Sequence, residues 1–596
     1  MRVHPVEIEQ LDQVVVAELD VFEQTVAEYL AGQVDEDTFR VFRLNHGVYG
    51  QRQGGRNQML RVKVPHGRLT ADQLDMFAHI AETYSRGWGH LTTRQNVQFH
   101  FIQLEQTPAV LRDLASAGLT SREACGDTVR NVMGCHLAGA CPQEVFDITP
   151  WAQATTEFLL RHPYAQRLPR KFKVNFSGCA TDCGQAMFND VGVVASSRMG
   201  PGGVSEYGFR VFIAGGLGAN PHPAQALEAF TAKEDLLPTI YAALRTFDHY
   251  GNRNNKIRAR MKWLPDTLEG GVDELRELIF KERKFLRAAH DWPGGIPTLV
   301  LERGDAPAGA TAEATQVGQA GSPVRLLATD PFTRWVECNV VRGAANHTVS
   351  AMAYSRLGDV TVEQFRALAD LQRQFDLDVR VTNRQNLVFR DLREEDLPTL
   401  YKGLAAIHMA EPGAELARDV VSCPGADTCN LAVTQSRGLA AAVGDALEEA
   451  GLAEVPGVRV NISGCTNSCG QHHVADIGFF GLERRAHGRA APGYQMLLGG
   501  HLAETEVTFG DKATKIPAKT APQAVVRVVQ RFNDERVAGE SFATWLERSG
   551  GARSVGGDLA DLDQFPDPEL ASEFYIDYDE TGPYVADVGA GECAAT

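Results

Sequence analysis

The 596-residue sequence predicts an α+β fold built from two pseudo-symmetric halves. Three observations support this prediction. Helical and strand patterns of apolar residues alternate within each half, which is typical of mixed folds. Several segments recur later in the chain at a nearly constant offset, and one four-cysteine pattern occurs twice. The repeated cysteine pattern therefore indicates both the architecture and the chemistry of the protein.

The internal repeat is defined by three collinear matches. HLTTRQNVQF at 90–99 returns as RVTNRQNLVF at 380–389, and VNFSGCATDCGQ at 174–185 returns as VNISGCTNSCGQ at 460–471. FIAGGLGAN at 212–220 returns more loosely near 497. Collinear matches at one offset of about 290 residues indicate a duplication.

Spacing also predicts individual elements. The segment 69–87 carries apolar residues at helical spacing, namely Leu69, Leu74, Phe77, Ile80 and Ala81. The runs QMLRVKV (58–64) and VQFHFIQL (97–104) follow the strand pattern. The segment 303–323 is rich in Gly, Ala, Pro and Thr and predicts a linker between the halves.

Composition narrows the class of protein. A hydrophobic content of 44% and a charged content of 22% describe an ordinary soluble globular protein. The net charge of −18 and the lack of a basic tract argue against a nucleic-acid partner. No run approaches the ~20 apolar residues of a membrane helix, and the first residues lack a secretory pattern. We therefore expect a cytoplasmic protein with no membrane partner.

The segment 551–596 predicts an acidic tail. It contains eleven acids and, after Arg553, no Lys or Arg. Such a composition favours a solvated segment. A segment that wraps a surface or docks a partner stays open, because the tail also carries aromatic residues: Phe565, Phe574, Tyr575, Tyr578 and Tyr584.

Eight of the eleven cysteines form two sets with the same spacing. The first is Cys135, Cys141, Cys179 and Cys183; the second is Cys423, Cys429, Cys465 and Cys469. Four thiolates on two close pairs match the ligand count of a [4Fe–4S] cluster. A structural zinc site is the main alternative, but it favours shorter separations between the pairs. No flavin or nicotinamide motif is recognisable, so electrons must come from a separate protein.

Six collinear motifs carry a family resemblance: MLRVKVPHGRLT (59–70), LTTRQNVQFH (91–100), GDTVRNVMGC (126–135), LPRKFKVNFSGC (168–179), CPGADTC (423–429) and SGCTNSCG (463–470). Over residues 40–545 the chain resembles the siroheme-dependent sulfite and nitrite reductases. The resemblance implies a siroheme joined to a [4Fe–4S] cluster by a shared cysteine thiolate. It also implies six-electron reduction of sulfite to sulfide or nitrite to ammonia, with electrons from ferredoxin or a similar carrier.

The resemblance implies a domain order as well. Each half would contain a ferredoxin-like half-domain and an α/β siroheme and iron–sulfur lobe. We expect the first half-domain within 1–120, the first lobe at 121–302, the second half-domain at 324–410 and the second lobe at 411–550.

Carried over by motif, the resemblance implies roles for individual residues. Cys423, Cys429, Cys465 and Cys469 would bind the catalytic cluster, with Cys469 as the bridge to the siroheme iron. The cations over the substrate face would be Arg61, Arg130, Lys171 and Lys173. Siroheme contacts would come from Arg94, Gln98 and His100. The physics agrees, since a small anion on a polycarboxylate cofactor needs local positive charge, and lysine can deliver protons.

The pair Lys171 and Lys173 bears on the substrate. The resemblance implies that nitrite reductases usually carry Asn at the second of these positions, whereas sulfite reductases keep Lys. Sulfite, as the larger dianion, gains more from an additional cation. We therefore expect sulfite as the preferred substrate, with nitrite as the alternative. An iron–sulfur electron-transfer protein without siroheme is the rival from another class.

The first cysteine set departs from the pattern implied for typical assimilatory members, which keep cluster cysteines only in the C-terminal half. We expect it to bind a second, non-catalytic [4Fe–4S] cluster, either beside a second siroheme or as an electron relay. At the repeat offset, the residues that correspond to Arg94, Arg130 and Lys173 are Arg384, Arg418 and Arg459. Gly457 stands opposite Lys171, and Ala351 or Met352 stands opposite Arg61.

Overall fold

The computed structural model describes residues 11–289, 330–503, 506–589 and 591. The predicted linker 303–323 lies outside the described residues. The N-terminal half contains, in chain order, α1 (Gln13–Leu30), α2 (Glu36–Asn45), β1 (Val48–Gly50), β2 (Asn57–Val62), β3 (Arg68–Leu69), α3 (Ala71–Thr83), β4 (Trp88–Leu91), β5 (Val97–Gln103), α4 (Thr107–Ser116), β6 (Met133–Gly134), α5 (Thr149–Leu159), β7 (Val174–Ser177), β8 (Val191–Met199), β9 (Ser205–Ile213), β10 (Gln225–Ala232), α6 (Leu236–Tyr250) and α7 (Gly271–Ala288).

The C-terminal half repeats this order with a longer end. Its elements are α8 (Pro331–Asn339), β11 (Val340–Arg342), β12 (Thr348–Ala353), β13 (Asp359–Thr361), α9 (Val362–Phe375), β14 (Asp378–Val381), β15 (Leu387–Arg393), α10 (Leu397–Ala406), β16 (Val421–Ser422), α11 (Ser436–Glu449), β17 (Val460–Ser463), β18 (Ile477–Ala486), β19 (Arg489–Leu498), β20 (His501–Ala503), β21 (Glu506–Thr508), β22 (Asp511–Pro517), α12 (Ala521–Glu535), α13 (Phe542–Arg548) and α14 (Gly551–Gly557).

The helix and the two strands that were predicted from residue spacing are present in the structure. Helix α3 begins after Thr70. The Thr70 side chain accepts from Gln73 N and the Gln73 side chain accepts from Thr70 N, so a capping box fixes the start of the helix. Strands β2 and β5 coincide with the two predicted runs and pair antiparallel, with Arg61 opposite Gln98. Leu69 lies just before the helix, in β3.

The two ferredoxin-like sheets exchange edge strands. The first has the order β1-β2-β5-β4-β13 and the second the order β11-β12-β15-β14-β3. Strand β13 comes from the C-terminal half and places Asp359 opposite His90, whereas β3 comes from the N-terminal half and places Arg68 opposite Arg380. Residues of both halves share one apolar core, in which Phe77 and Phe365 meet edge to face at 5.8 Å. Each half-domain therefore completes the other.

Each lobe is a five-stranded mixed sheet with its own core. The orders are β10-β9-β8-β7-β6 and β16-β17-β18-β19-β22. In both lobes the first two pairs along the chain are parallel, β6-β7-β8 and β16-β17-β18, and the later pairs are antiparallel. The cysteine loops follow the parallel strands, so the same edge of each sheet carries one set.

The expectation of a solvated C-terminal tail is wrong for residues 551–589. Val555, Leu559 and Leu562 are buried in the core of the second lobe. Phe565 and Tyr575 pack on Ala491 of β19. The aromatic residues give the segment enough apolar surface to bind the lobe, despite its charge. None of the described helices combines the length and hydropathy that a membrane crossing needs.

Candidate active site between the two halves

The second cysteine set is brought together in the C-terminal lobe. Cys423 follows β16 and is buried, and its Sγ accepts from Gly464 N at 3.3 Å. Burial and the neighbouring cysteines raise the pKa of Cys429 to about 12 and also raise those of Cys423 and Cys465. Cys469 is an electrostatic neighbour of all three and is exposed. The four free cysteines of the second set thus lie in one region of the lobe.

The turn that carries Cys465 and Cys469 depends on close backbone approach. A side chain on Gly470 would overlap the Ile462 carbonyl oxygen. The Gly470 N–H donates to Ser463 Oγ at 3.1 Å, and Ser468 has a φ of 58°. The segment is a turn that leads into a short 3₁₀ helix, His472–Val474. Glycine is required here because only a bare backbone fits.

The loop that carries Cys429 is held from two sides. Arg52 of the N-terminal half donates from its backbone N to Thr428 O at 3.1 Å and from Nη1 to Ala432 O at 3.0 Å. On the other side, Tyr584 of the C-terminal segment donates from its hydroxyl to Val433 O at 2.9 Å. Neither contact was predicted from the sequence, because Arg52 and Tyr584 lie far from this loop along the chain.

The N-terminal half reaches the second cysteine set directly. Thr93 Oγ1 donates to Cys469 O at 3.0 Å. Burial and the charges of Arg170 and Arg130 lower the pKa of Lys171 to about 7, while Cys469 opposes that shift. The Thr93 hydrogen bond and the electrostatic interaction of Lys171 both link the N-terminal half to Cys469.

The predicted cations form one group. Desolvation and the charges of Arg94, Arg260 and Lys171 lower the pKa of Lys173 well below its usual range. Desolvation, followed by the charges of neighbouring arginines that include Arg130 and Arg61, lowers the pKa of Arg94 to about 9. Like charges held together away from water are costly unless an anion joins them. The group is therefore a candidate anion site, in which Asp190 already offsets part of the positive charge.

Hydrogen bonds fix the arginines of this group. Arg130 donates to Ala124 O at 3.1 Å and to Gly126 O at 2.7 Å. In the amide orientation that satisfies both side chains, Gln98 accepts from Arg61 Nε at 2.9 Å and from Nη2 at 2.6 Å. Both guanidinium groups are thus oriented before any ligand binds.

Arg94 is held by three acceptors. Its Nη2 donates to Asn131 O at 2.8 Å, and its Nη1 donates to the side-chain oxygens of Asn175 at 3.2 Å and Asn189 at 3.3 Å. Its Nε is buried with no partner among the described residues. One donor of this side chain is therefore left for a ligand.

The site also holds buried polar atoms that fit a polar cofactor. Neither ring nitrogen of His100 has a partner among the described residues, although the ring is buried and stacks on Trp88 at 5.5 Å. Burial and the neighbouring His90 and Arg437 lower the pKa of His100 to about 3, so the ring is neutral. Ser468 Oγ and Asn461 Oδ1 are likewise buried without partners in the described chain. The Ser468 hydroxyl and the protonated ring nitrogen of His100 can donate to a polycarboxylate ligand, whereas Asn461 Oδ1 can only accept.

Arg260 and Asp190 were missed by the sequence reasoning. Their side chains form a buried ion pair at 2.8 Å, and Lys173 N donates to Asp190 at 3.0 Å. Asp190 lies 286 residues before Asp476, so the repeat itself contained a signal for it. Arg260 has no counterpart in the quoted matches and could be found only from the fold.

The first cysteine set is also assembled. Cys135 contacts Cys183 through its thiol, and Cys135 and Cys179 are electrostatic neighbours of Cys141. Burial, with contributions from these neighbours, raises the pKa of Cys141 to about 12. In neither set do three or more His, Cys, Asp or Glu side chains of the described residues converge as ligands of a single ion would. A cubane cluster instead needs four thiolates spaced around its corners.

Comparisons with known proteins agree with this geometry. The nitrite and sulphite reductase 4Fe-4S domain matches residues 125–285 and 413–553, and the nitrite/sulfite reductase ferredoxin-like half domain matches 49–117 and 348–407. An assimilatory ferredoxin-dependent nitrite reductase of Haloferax mediterranei is 28% identical over 89% of both chains. A sulfite reductase [ferredoxin] of Mycobacterium tuberculosis is 30% identical over 82% of both chains.

A solved structure shows the same architecture. The NirA protein of Mycobacterium tuberculosis superposes with a TM-score of 0.70 at 28% identity, over 89% of this chain and 94% of that one. The prediction of two halves, each with a ferredoxin-like half-domain and a cluster lobe, is confirmed. The chain therefore belongs to the nitrite and sulphite reductase family, whose members carry siroheme and a [4Fe–4S] cluster.

Proposed function

We propose that this protein reduces sulfite to sulfide in a six-electron reaction, with electrons from a ferredoxin-like carrier. The observation that supports the proposal is the hydrogen bond from Thr93 Oγ1 to Cys469 O at 3.0 Å, which brings the half that carries the predicted cations against the second cysteine set. An oxyanion bound between them would meet positive charge on one side and the source of electrons on the other. Family membership sets aside the zinc protein and the electron-transfer protein without siroheme.

The four cysteines of the second set would hold the cluster, and Cys469 would bridge to siroheme. Arg94, Gln98 and His100 would contact the siroheme, since two of them present unpaired buried nitrogens. When bound, the two cofactors supply electrons to the anion one at a time. The remaining chemistry belongs to side chains of this chain.

We assign positioning of the anion to the arginines and proton transfer to the lysine. Hydrogen bonds hold Arg61 and Arg130 in a fixed orientation, so they would position the oxygens of the anion. Lys171, with its pKa lowered to about 7, can release a proton near neutral pH. Each oxygen lost from sulfite leaves as water and consumes two protons, so a lysine that is easily deprotonated suits the task.

Sulfite is favoured over nitrite by the presence of Lys173. The charges of Arg94, Arg260 and Lys171 act on its side chain, with Asp190 opposing them, and a dianion would offset the remaining positive charge better than a monoanion. Nitrite is the second candidate, because relatives of both names match at similar identity. The names of both relatives include ferredoxin, which supports a carrier of that kind.

Steady-state reduction of each anion by reduced ferredoxin tests the proposal. We expect a kcat/KM for sulfite above that for nitrite, in a preparation whose spectrum shows siroheme. A higher value for nitrite would overturn the substrate preference, and absence of siroheme would overturn the reaction.

A further inference from the structure

The first cysteine set repeats the geometry of the second in detail. Cys135 N donates to Phe176 O at 3.0 Å, as Cys423 N does to Ile462 O at 3.3 Å. A side chain on Gly184 would overlap the Phe176 carbonyl oxygen, as one on Gly470 would overlap that of Ile462. Both turns are therefore built for the same close approach of backbone and thiols.

The opposite half also reaches each set in the same way. Asn383 Nδ2 donates to Cys183 O at 2.6 Å, as Thr93 Oγ1 donates to Cys469 O. Arg390 Nη2 bonds Ala138 O, and Ala344 N donates to Ala140 O at 2.9 Å, so the loop before Cys141 is held across the halves. Residues of the opposite half thus hold the loops of both sets.

The face over the first set differs sharply from the active site. Met352 pairs with Val388 across β12 and β15, where Arg61 pairs with Gln98 across β2 and β5. The strand register thus identifies Met352, not Ala351, as the counterpart of Arg61. These residues join an apolar cluster, packed against Leu137, that contains Met352, Tyr354, Val388 and Ala414.

The remaining cations of this face are neutralised. Arg384 lies 3.2 Å from Glu415 and 3.8 Å from Asp419. By the repeat, Asp419 stands where the active site has Asn131. Apolar side chains and added carboxylates both oppose a polycarboxylate cofactor, so this face does not fit a siroheme.

Two of the remaining arginines also have acidic partners. Arg418 pairs with Glu411 at 2.9 Å, and Arg459 pairs with Asp476 at 3.3 Å. Arg384 and Arg418 therefore have acidic partners on this face, whereas the Arg459–Asp476 pair repeats the position of Asp190 beside Lys173 in the active site.

A direct contact links the two sets. Gln185 and Gln471 are each the second residue after the last cysteine of their set, and each side-chain amide donates to the other at 2.8 Å. Both residues are buried and have a φ of 60°. The path Cys183–Gly184–Gln185 to Gln471–Gly470–Cys469 crosses a single pair of hydrogen bonds.

We propose that Cys135, Cys141, Cys179 and Cys183 bind a second [4Fe–4S] cluster that has no siroheme and exchanges electrons with the catalytic cluster through Gln185 and Gln471. In each transfer the reduced cluster would lose one electron and the oxidised cluster would gain it. No proton would move and no bond would form or break. The proposal rests on the proposed function only for the identity of the catalytic cluster. Electrons held there would shorten the wait between deliveries by a one-electron carrier.

Iron, acid-labile sulfide and siroheme counts on the purified holoenzyme test the second cluster. We expect about eight irons outside siroheme per chain, in two cubanes, beside one siroheme. The double variant Cys179→Ser with Cys183→Ser should lose half of these irons and keep siroheme. The matched control Cys338→Ser, outside both sets, should keep all of them.

About four such irons in the unaltered protein would overturn the proposal, whatever the variants do. A second siroheme per chain would overturn the part that leaves the first set without one. Both results are distinct from failure of the proposed function, which would show as no siroheme at all or no turnover.

Freeze-quench spectroscopy of the two reduced clusters tests the link. After mixing the fully reduced enzyme with sulfite, both cluster signals should decay together in the unaltered protein. In the double variant Gln185→Leu with Gln471→Leu, the signal of the first cluster should decay severalfold more slowly than that of the second. Gln530→Leu, at an exposed position of α12, is the control. Equal decay of both signals in the double variant would overturn the proposed path.

Discussion

Gln185 and Gln471 donate a hydrogen bond to each other, both at 2.8 Å, across the pseudo-twofold axis of the molecule. They are 286 residues apart in sequence and follow equivalent cysteine turns. The contact joins two lobes whose sheets share the same strand order. The two glutamines are equivalent positions of the repeat, so the residues around them can be compared pair by pair between the two sites.

The shared core of the half-domains predicts coupled unfolding. Phe77→Ala and Phe365→Ala should each lower the free energy of unfolding by about 3–5 kcal/mol, because each ring is fully buried. The double variant should show a coupling of about 0.5–1.5 kcal/mol from the lost edge-to-face contact. Denaturant unfolding followed by fluorescence measures both.

Phe285→Ala is the matched control, since Phe285 is 59% exposed. It should change stability by less than about 0.5 kcal/mol. Separate transitions for the two halves in the Phe365→Ala variant would contradict a common core.

Lys171 predicts a pH dependence of turnover. Its pKa is lowered to about 7, so the ammonium is present below that pH and is lost as pH rises through it. We expect kcat/KM for sulfite to fall on the alkaline side of pH 7. Lys171→Arg should flatten this alkaline limb, because the guanidinium stays charged, while lowering kcat through loss of a proton donor. An unchanged alkaline limb in the variant would assign the titration to another group.

Lys173 predicts a shift in substrate preference. Lys173→Asn should raise the ratio of kcat/KM for nitrite over sulfite by about tenfold, since a charged hydrogen bond contributes about 1.5–3 kcal/mol. Steady-state kinetics with both anions measures the ratio. Lys281→Asn, at an exposed position of α7, should leave it unchanged. A variant in which both anions lose equally would show that Lys173 binds charge without selecting the substrate.

The C-terminal segment predicts a role in holding the cluster loop. Tyr584→Phe removes the bond to Val433 O and should cost about 1 kcal/mol. We expect a faster loss of iron to a chelator, because the loop after Cys429 opens more often. Tyr575→Phe is the matched control, since the Tyr575 hydroxyl donates to Pro566 O within the segment itself. Equal rates in the two variants would argue against this role.

Much of the site could be predicted from local patterns. The two cysteine sets and the repeat follow from residue spacing, because a pair of thiols needs fixed spacing within one turn. Arg61 and Lys171 are expected only from the family resemblance of the motifs that contain them. Arg52 and Arg260 could not be predicted in this way. Each reaches the site from a distant segment, and only packing of the chain decides that it does.

The sequence by itself determined the duplication, the family resemblance and which cysteines belong together, since these depend on residue identity and spacing. Only the tertiary structure decided that the half-domains exchange strands, that Met352 replaces Arg61 and that the acidic C-terminal segment lies against the cluster loop. The physical reason is the same in each case. Strand register and burial depend on contacts between residues far apart in the chain, and no local pattern encodes them.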